Sequence, residues 1–314
     1  SGEYDIIDSF GSDLYEKFKS LKNGKVVTNY AGGYGYISFK LGKWDKEKNE
    51  VVTDPNAKMA DKNLRKAMAM AVDRDTVNKK LLNNLSNPLY QIIPPYFATI
   101  YDKDFKGIPY DLEGAKKLLD EAGYKDTNGD GIREDKNGKP LKIKFAAMQA
   151  GATQEPTVTF FIQQWKSIGL DVELTTGRLI EFNSFYDKLM ADDPEIDMYM
   201  AAWNTGTNPD PSGFYGKHEN FNMMRFTSPE MDKLLKDVVT LDNVDPKVRL
   251  DHYKAISKYL VADEAIVIPT FSNTTKAFVN NRVKKYDISL PEKDKAPFRN
   301  SDIELTKDAP EVDK

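Results

Sequence analysis

The stretch around Trp203 has the residue types of a ligand site. Residues 196–202 form a short apolar run typical of a strand, and residues 203–213 then read W-N-T-G-T-N-P-D-P-S-G. A strand that ends in Trp and breaks into Gly, Asn, Asp and Pro exposes an aromatic face and free backbone groups at a sheet edge. Open α/β folds bind their ligands at such edges. The alternative is a core Trp beside an ordinary turn.

A second candidate site is a calcium loop at residues 126–137. The first ten residues read D-T-N-G-D-G-I-R-E-D, which places oxygens at positions 1, 3 and 5 and Gly at position 6, as in the first half of a calcium loop. Position 12 is Asn137 instead of Glu, so Glu134 or Asp135 would have to substitute. The alternative is a hairpin with Asp-Gly turn chemistry. The candidate ligands are Asp126, Asn128, Asp130 and Asp135.

Enzyme chemistry finds little support in the sequence. The 314 residues include no cysteine and two histidines, and Ser212-Gly213 lacks the frame of a nucleophile elbow. The net charge of −4 provides no broad basic field for nucleic acid, and no apolar run approaches the roughly 18 residues of a membrane span. These features argue against an enzyme, and no cofactor is expected apart from the possible calcium.

The elements that would position these residues alternate between strand and helix. Strand-like residues 141–147, a helical pattern at 157–168 and a strand at 170–175 predict a right-handed parallel unit. A helix at 181–191 then precedes the strand that ends at Trp203. The sequence therefore predicts an α/β fold with a mixed sheet flanked by helices.

The first 61 residues are predicted to hold two short strands and a loop. The strand-like runs are 25–30 and 35–39, separated by a turn at Gly32-Gly33, and the polar residues 43–61 look like a loop. Four helices have clear start signals, with N-cap residues Asp61, Asp111, Ser228 and Asp245. Residues 307–314 are charged and are expected to lack structure.

Three segments together resemble the family 5 extracytoplasmic solute-binding proteins of ABC importers. Residues 203–213 are similar to the family pattern W-x-x-G-x-D-P-D-P-S-G, with Asn208 in place of the first Asp. Residues 64–74, L-R-K-A-M-A-M-A-V-D-R, resemble the family's signature helix, V-R-K-A-L-x-x-A-I-D-R. Residues 111–124 resemble its A-K-x-L-L-x-E-A-G-Y segment. The order and spacing of all three agree with the family.

The resemblance implies a lobe like those of type II periplasmic binding proteins, with remnants of a second lobe. Residues 75–275 would form the C-terminal ligand-binding lobe, and residues 1–74 and 276–314 would be the remainder of the first lobe. Because family members usually exceed this length, the resemblance also implies a C-terminal fragment. The missing part would include the secretion signal and the cysteine for lipid attachment.

The resemblance also implies which residues bind ligand. In the family, the strand at Trp203, Asn204 and Thr205 pairs its backbone with an extended peptide. Gly206 stands where many relatives have an Asp that holds the amino terminus of the peptide, so no fixed salt bridge is expected there. Further candidates are Asp210 nearby, Phe182 at a position that stacks on ligand in some relatives, Tyr36 on a cleft-facing strand, and Arg225, an isolated cation that could meet a ligand carboxylate.

The implied function is the peptide-capturing component of an oligopeptide importer. Its partners would be an oligopeptide and the ABC permease subunits, and the protein would be a monomer, lipid-anchored on the outer face of the cell membrane. Two alternatives remain open on the sequence. One is a peptide-pheromone sensor that signals without importing, and the other is a family member that binds a nickel chelate or a sugar.

Overall fold

The computed structural model describes residues 3–287, 299–306 and 312. The strands are β1 (Ile6–Ile7), β2 (Gly24–Phe39), β3 (Gly42–Asp45), β4 (Glu50–Thr53), β5 (Asn87–Pro88), β6 (Lys142–Ala147), β7 (Asp171–Leu174), β8 (Met198–Trp203), β9 (Val267–Asn280), β10 (Val283–Lys285) and β11 (Glu304–Leu305). The helices are α1 (Tyr15–Ser20), α2 (Lys62–Met70), α3 (Arg74–Leu81), α4 (Leu112–Ala122), α5 (Gln154–Ser167), α6 (Phe182–Met190), α7 (Ser212–Tyr215), α8 (Pro229–Asp237) and α9 (Pro246–Lys258). Strand and helix thus alternate from β6 to β8, as predicted.

Seven strands form one mixed sheet in the order β1-β9-β2-β8-β6-β7, with β5 also paired to β9. The predicted parallel unit is confirmed, because β6 pairs in parallel with both β7 and β8. The long strands β2 and β9 pair antiparallel with each other, and β2 also pairs antiparallel with β8. This order places the end of β8 in the middle of the sheet instead of at its outer edge.

The helices begin where the cap residues predict. Side-chain oxygens of the N-caps accept hydrogen bonds from backbone N–H groups in the first turns of α2, α4, α8 and α9, which supplies partners for otherwise unpaired donors. The N-caps are those predicted: Asp61, Asp111, Ser228 and Asp245. Among the described residues, no helix is long and apolar enough to cross a membrane.

Two buried arginines of the signature helix region hold the structure together. The Arg65 guanidinium donates to the backbone oxygens of Met59, Ala60 and Glu264, and Arg74 Nε donates to the Pro269 oxygen at 2.7 Å. Burial lowers the pKa of both guanidinium groups to about 10, so both stay charged at neutral pH. The signature residues therefore fasten this region to the chain around β9.

The side chains form two separate cores. The large core starts at Tyr34 and ends at Phe271, whereas a small core contains Ala277, Val279 and Val283 with Ile6, Val27, Tyr286 and Ile303 against it. Residues 34–74 therefore pack with residues 75–271, and the predicted boundary after residue 74 does not coincide with a break in the packing. The division into two lobes stays a prediction.

Two local predictions are corrected by the structure. Residues 24–39 form one continuous strand, whose register against β9 shifts at Tyr34, instead of two strands joined by a turn at Gly32-Gly33. The polar stretch after residue 43 contains the hairpin β3–β4 instead of a loop only. In both places pairing with a neighbouring strand overrides the local turn and polarity signals. The expectation for residues 307–314 lies outside the described residues, apart from Val312.

Candidate functional site

The last residues of β8 have one free strand edge. Pairing between β6 and β8 ends at Ala147 and Met200, while β8 stays paired with β2 as far as Trp203. Beyond Ala147, the chain that follows β6 turns toward Ile180, since Gln149 N donates to the Ile180 oxygen at 2.8 Å. Residues 201–203 are thus left with backbone groups facing the gap between two diverging strands. An extended chain can add there as a further strand.

A cleft of about 480 Å³ lies beside this free edge. The cleft crosses the face of the sheet from the end of β6, past β8, to β9. Its lining is mostly small or polar, and the residues that line it include Met148, Ala150, Gln154, Met200, Ala201, Ala202, Thr270, Ser272, Thr274 and Lys276. The volume is in the range of sites for small ligands, and small side chains along β8 allow close approach of another backbone.

Trp203 is half-buried and anchored by other aromatic rings. Its ring stacks on Phe214 at a centroid distance of 4.5 Å and an interplanar angle of 16°, and Phe221 lies at 5.9 Å. Phe214 is buried in the large core, so one face of the indole is fixed and part of the side chain remains accessible. The structure thus combines the two readings of the sequence: Trp203 packs on the core and stands at the free edge.

The loop after Trp203 packs against β2 near Gly32, where the register of β2 against β9 shifts. Asn204 Oδ1 accepts a hydrogen bond from Gly206 N at 2.9 Å, and Gly206 adopts a left-handed conformation with φ of +56°. A Cβ atom on Gly32 would lie 2.1 Å from the Gly206 backbone oxygen. The Gly32-Gly33 pair therefore permits close backbone approach, which positions Asn204, Thr205 and Gly206.

Replacing Gly32 with Ala is expected to lower the free energy of unfolding by about 1–3 kcal/mol, because the new methyl group overlaps backbone and the loop must shift. Gly213→Ala is the matched control, since a Cβ there meets no atom within 4 Å, and its effect should be about 0.5 kcal/mol or less. Urea denaturation of both variants measures the difference. Equal stability of the two would contradict the close approach.

Like Trp203, Asn204, Thr205 and Gly206, the predicted residues Asp210 and Phe182 are not among those that line the cleft. Asp210 Oδ1 accepts a hydrogen bond from Ser212 N at 2.8 Å, so this carboxylate binds the first backbone N–H group of α7. Phe182 begins α6 with 55% of its surface exposed and contacts the Tyr186 ring at 5.0 Å. The exposed ring is available to a ligand, and the ligand contacts of Asp210 and Phe182 stay predictions.

The structure corrects the assignment of Tyr36 to the cleft. Tyr36 has no exposed surface and lies among the rings of Tyr34, Tyr199 and Phe214. Burial raises the pKa of Tyr36 well above its ordinary value, so the phenol stays neutral. The sequence suggested an accessible Tyr because it could not show that Phe214 and Tyr199 cover this face of β2.

Arg225 is also a structural residue rather than a ligand contact. It is fully buried, its Nε donates to Asp192 Oδ1 at 2.7 Å, and its Nη1 donates to the Asn220 oxygen at 3.0 Å. Lys40 Nζ donates to the same Asp192 oxygen at 2.5 Å. The prediction that Arg225 meets a ligand carboxylate is therefore wrong for this structure, because Asp192 already supplies its counter-charge.

The carboxylates of the calcium-like loop bind backbone N–H groups. Asp126 accepts from Gly129 N and Gly131 N, and Asp130 Oδ1 accepts from Ile132 N at 2.8 Å. Asp135 accepts from the backbone of residues 137 and 139 in a separate turn, while Asn128 Oδ1 accepts from Asp130 N. These bonds lower the pKa of Asp126 and Asp135. No cluster of three acidic, His or Cys side chains suited to a metal is present in the described ranges.

We expect excess chelator to leave the melting temperature unchanged, because the backbone N–H groups already supply partners for these carboxylates. A metal that binds only the folded state would raise the melting temperature by mass action. The measurement is thermal unfolding with calcium and with chelator. A fall in melting temperature with chelator that Asp126→Asn abolishes would contradict the turn and support the calcium site.

Known proteins share this fold. The chain superimposes on lactococcal OppA complexed with an endogenous peptide with a TM-score of 0.84, at 31% identity over 91% of this chain and 53% of that one. It superimposes on AppA from Bacillus subtilis in complex with a nonapeptide with a TM-score of 0.72, at 25% identity and the same coverage. The fold is therefore that of type II periplasmic binding proteins.

The family model for bacterial extracellular solute-binding proteins, family 5 (middle region), matches residues 1–223, and this chain belongs to that family. Among curated relatives, the oligopeptide-binding protein OppA of Lactococcus lactis subsp. lactis is 33% identical over 90% of this chain. The chain spans about half the length of the curated relatives it matches, 47% in the case of this OppA. The resemblance seen in the three sequence motifs is thus confirmed.

Proposed function

We propose that this chain is part of the substrate-binding component of an oligopeptide ABC importer. Relatives named as oligopeptide-binding proteins and the structures of OppA and AppA with bound peptides support this proposal. The observation that carries it is the free edge of residues 201–203, which lies beside the cleft. A peptide that adds along this edge pairs its main chain with β8.

Main-chain pairing of this kind accepts many peptide sequences. Backbone N–H and C=O groups are the same in every residue, so pairing supplies affinity without selecting side chains. Gly206 offers no carboxylate to the amino terminus of a peptide, and the Asp210 carboxylate serves α7. The peptide can therefore take more than one register along β8, and peptides of several lengths fit the proposal.

The family also bears on location and partners. Its members are extracellular solute-binding proteins rather than enzymes, so the chain belongs outside the cytoplasm. We propose that the complete protein is a monomer, lipid-anchored to the outer face of the cell membrane, that delivers peptide to membrane permease subunits. A lack of enzymatic activity stays a prediction, consistent with the absence of cysteine from the sequence.

Ligand that co-purifies with the complete protein tests the proposed function. Mass spectrometry of the released ligand should find peptides of varied sequence. A single defined peptide would favour a pheromone sensor, and a nickel chelate or a sugar would contradict peptide capture. As a second measurement, the co-purified ligand is removed, and calorimetry measures the binding of a synthetic nonapeptide. Failure of any peptide to bind would contradict the proposal.

A further inference from the structure

A polar stripe on β9 faces the cleft. Thr270, Ser272, Thr274 and Lys276 line it, together with Phe271 and Asn273. The Ser272 and Thr274 hydroxyls donate to the backbone oxygens of Asn87 and Leu85, at 3.5 Å and 3.1 Å. The neighbours of Lys276 along the stripe therefore provide hydroxyl groups and no negative charge.

Lys276 is the one charged side chain among the described residues that line the cleft. It is half-buried, and no carboxylate in the described part of the chain forms an ion pair with it. Most other partly buried cations are paired: Lys40 and Arg225 share Asp192, and Arg282 pairs with Asp5. Lys276 differs from these cations, because no carboxylate among the described residues neutralises its charge.

The environment of Lys276 carries an energetic cost that a ligand can offset. Removing an ammonium from water without a counter-charge is unfavourable. Burial lowers the pKa of Lys276 below its ordinary value, with no neighbouring carboxylate to oppose the change. A carboxylate placed beside the ammonium would form a charge-assisted hydrogen bond, which is about twice as strong as a neutral one. The site therefore suits an anionic oxygen ligand.

We propose that Lys276 binds a carboxylate of the peptide ligand, either its C-terminal group or the side chain of an Asp or Glu. This inference rests on the proposed function, because the ligand that reaches Lys276 is the peptide paired along β8. It adds selection by charge to a site whose main-chain pairing accepts any sequence.

The strand register fixes how far the carboxylate lies from the paired segment. Trp203 pairs with Tyr34 and Tyr34 pairs with Ser272, so two strand spacings of about 4.8 Å separate β8 from β9 there. Lys276 lies four residues further along β9, a distance of about 13 Å. A peptide on the free edge of β8 adds a third strand spacing, so the diagonal from the peptide to Lys276 is about 19 Å, which corresponds to about six extended residues. The carboxylate therefore belongs within about six residues of the paired segment.

The test uses the complete protein and three forms of one synthetic nonapeptide built from Ala and Ser. The first form has an amidated C-terminus and no acidic residue, the second has a free C-terminal carboxylate, and the third is amidated with one Glu placed at each position in turn. Calorimetry gives the affinities for the wild type, Lys276→Met and Lys276→Arg. Lys25→Met is the matched control, since Lys25 is an exposed lysine of β2 outside the cleft.

We expect the second form, or the third with Glu at one or two positions, to bind wild type about tenfold more tightly than the first. Lys276→Met should remove this difference, and Lys276→Arg should restore most of it. Which form gains affinity identifies the source of the carboxylate. Equal binding of all forms, or a gain in affinity that persists in Lys276→Met, would overturn the role of Lys276 and leave the proposed function intact. Failure of every form to bind would overturn the proposed function as well.

Discussion

Replacing Asp192 with Asn is expected to lower the free energy of unfolding by about 3–5 kcal/mol, because the change leaves two buried cations without a counter-charge. Asp192 Oδ1 accepts from both Lys40 and Arg225, and its Oδ2 accepts from Trp44 N at 2.7 Å. Burial opposes ionisation of Asp192, but Lys40 and Arg225 outweigh it, so its pKa is below the ordinary value. The cluster ties the ends of β2 and α6 to the chain at residue 225.

The loss of stability in Asp192→Asn should depend on pH in a defined direction. A carboxyl with a lowered pKa stabilises the folded state above its ordinary pKa, and that stability is lost as the pH falls through the folded value. Burial lowers the pKa of Lys40 to about 8, and loss of Asp192 should lower it further. The stability gap between wild type and Asp192→Asn should therefore be smaller at about pH 9 than at about pH 6, because Lys40 is then largely neutral in both.

Denaturant unfolding at the two pH values measures this gap. Glu121→Gln is the control, since the exposed Lys117–Glu121 pair, at 3.8 Å, should change stability by about 1 kcal/mol or less. An Asp192→Asn protein as stable as the control variant would contradict a structural role for the cluster. Arg225 would then again be open to a ligand.

Replacing Trp203 with Ala is expected to weaken the binding of most peptides alike in the complete protein, by about 1–3 kcal/mol. The accessible part of the indole stands at the free edge of β8, where we expect it to contact any backbone that pairs there. The same change should lower the free energy of unfolding by about 2 kcal/mol, because the stack on Phe214 is lost.

Trp203→Phe is the matched variant, since a smaller ring can keep the stack on Phe214 and should retain most of the stability. Calorimetry and urea denaturation of both variants separate the two roles of Trp203. Unchanged affinity in Trp203→Ala beside a large loss of stability would assign the indole to the core only.

Periodicity and cap residues predicted much of the fold. The β6–α5–β7 unit follows from a switch between strand and helix patterns, and the helix starts follow from residues whose side chains bind the first backbone N–H groups. The position of Trp203 at a break between strand and loop was also predictable, because the Gly, Asn and Pro residues after it cannot continue a central strand.

Long-range packing decided what sequence reasoning could not predict. Tyr36 and Arg225 looked available because the sequence does not show that Phe214 covers one and Asp192 pairs with the other. The free edge of residues 201–203 depends on where β6 diverges from β8, and no local pattern encodes that point. A usable signal did exist for Lys276, a lone cation after Ser272, Thr274 and Thr275 in an otherwise uncharged strand.

Main-chain pairing of a peptide with β8 is the central claim, and an N-methyl scan tests it most directly. A nonapeptide bound by the complete protein is methylated at one backbone nitrogen at a time, and calorimetry gives each affinity. Since alternate residues of a strand bond to the same neighbour, methylation should weaken binding strongly at every second position of the paired segment and weakly between them. Affinity that is insensitive to methylation at every position would contradict pairing along the free edge of β8.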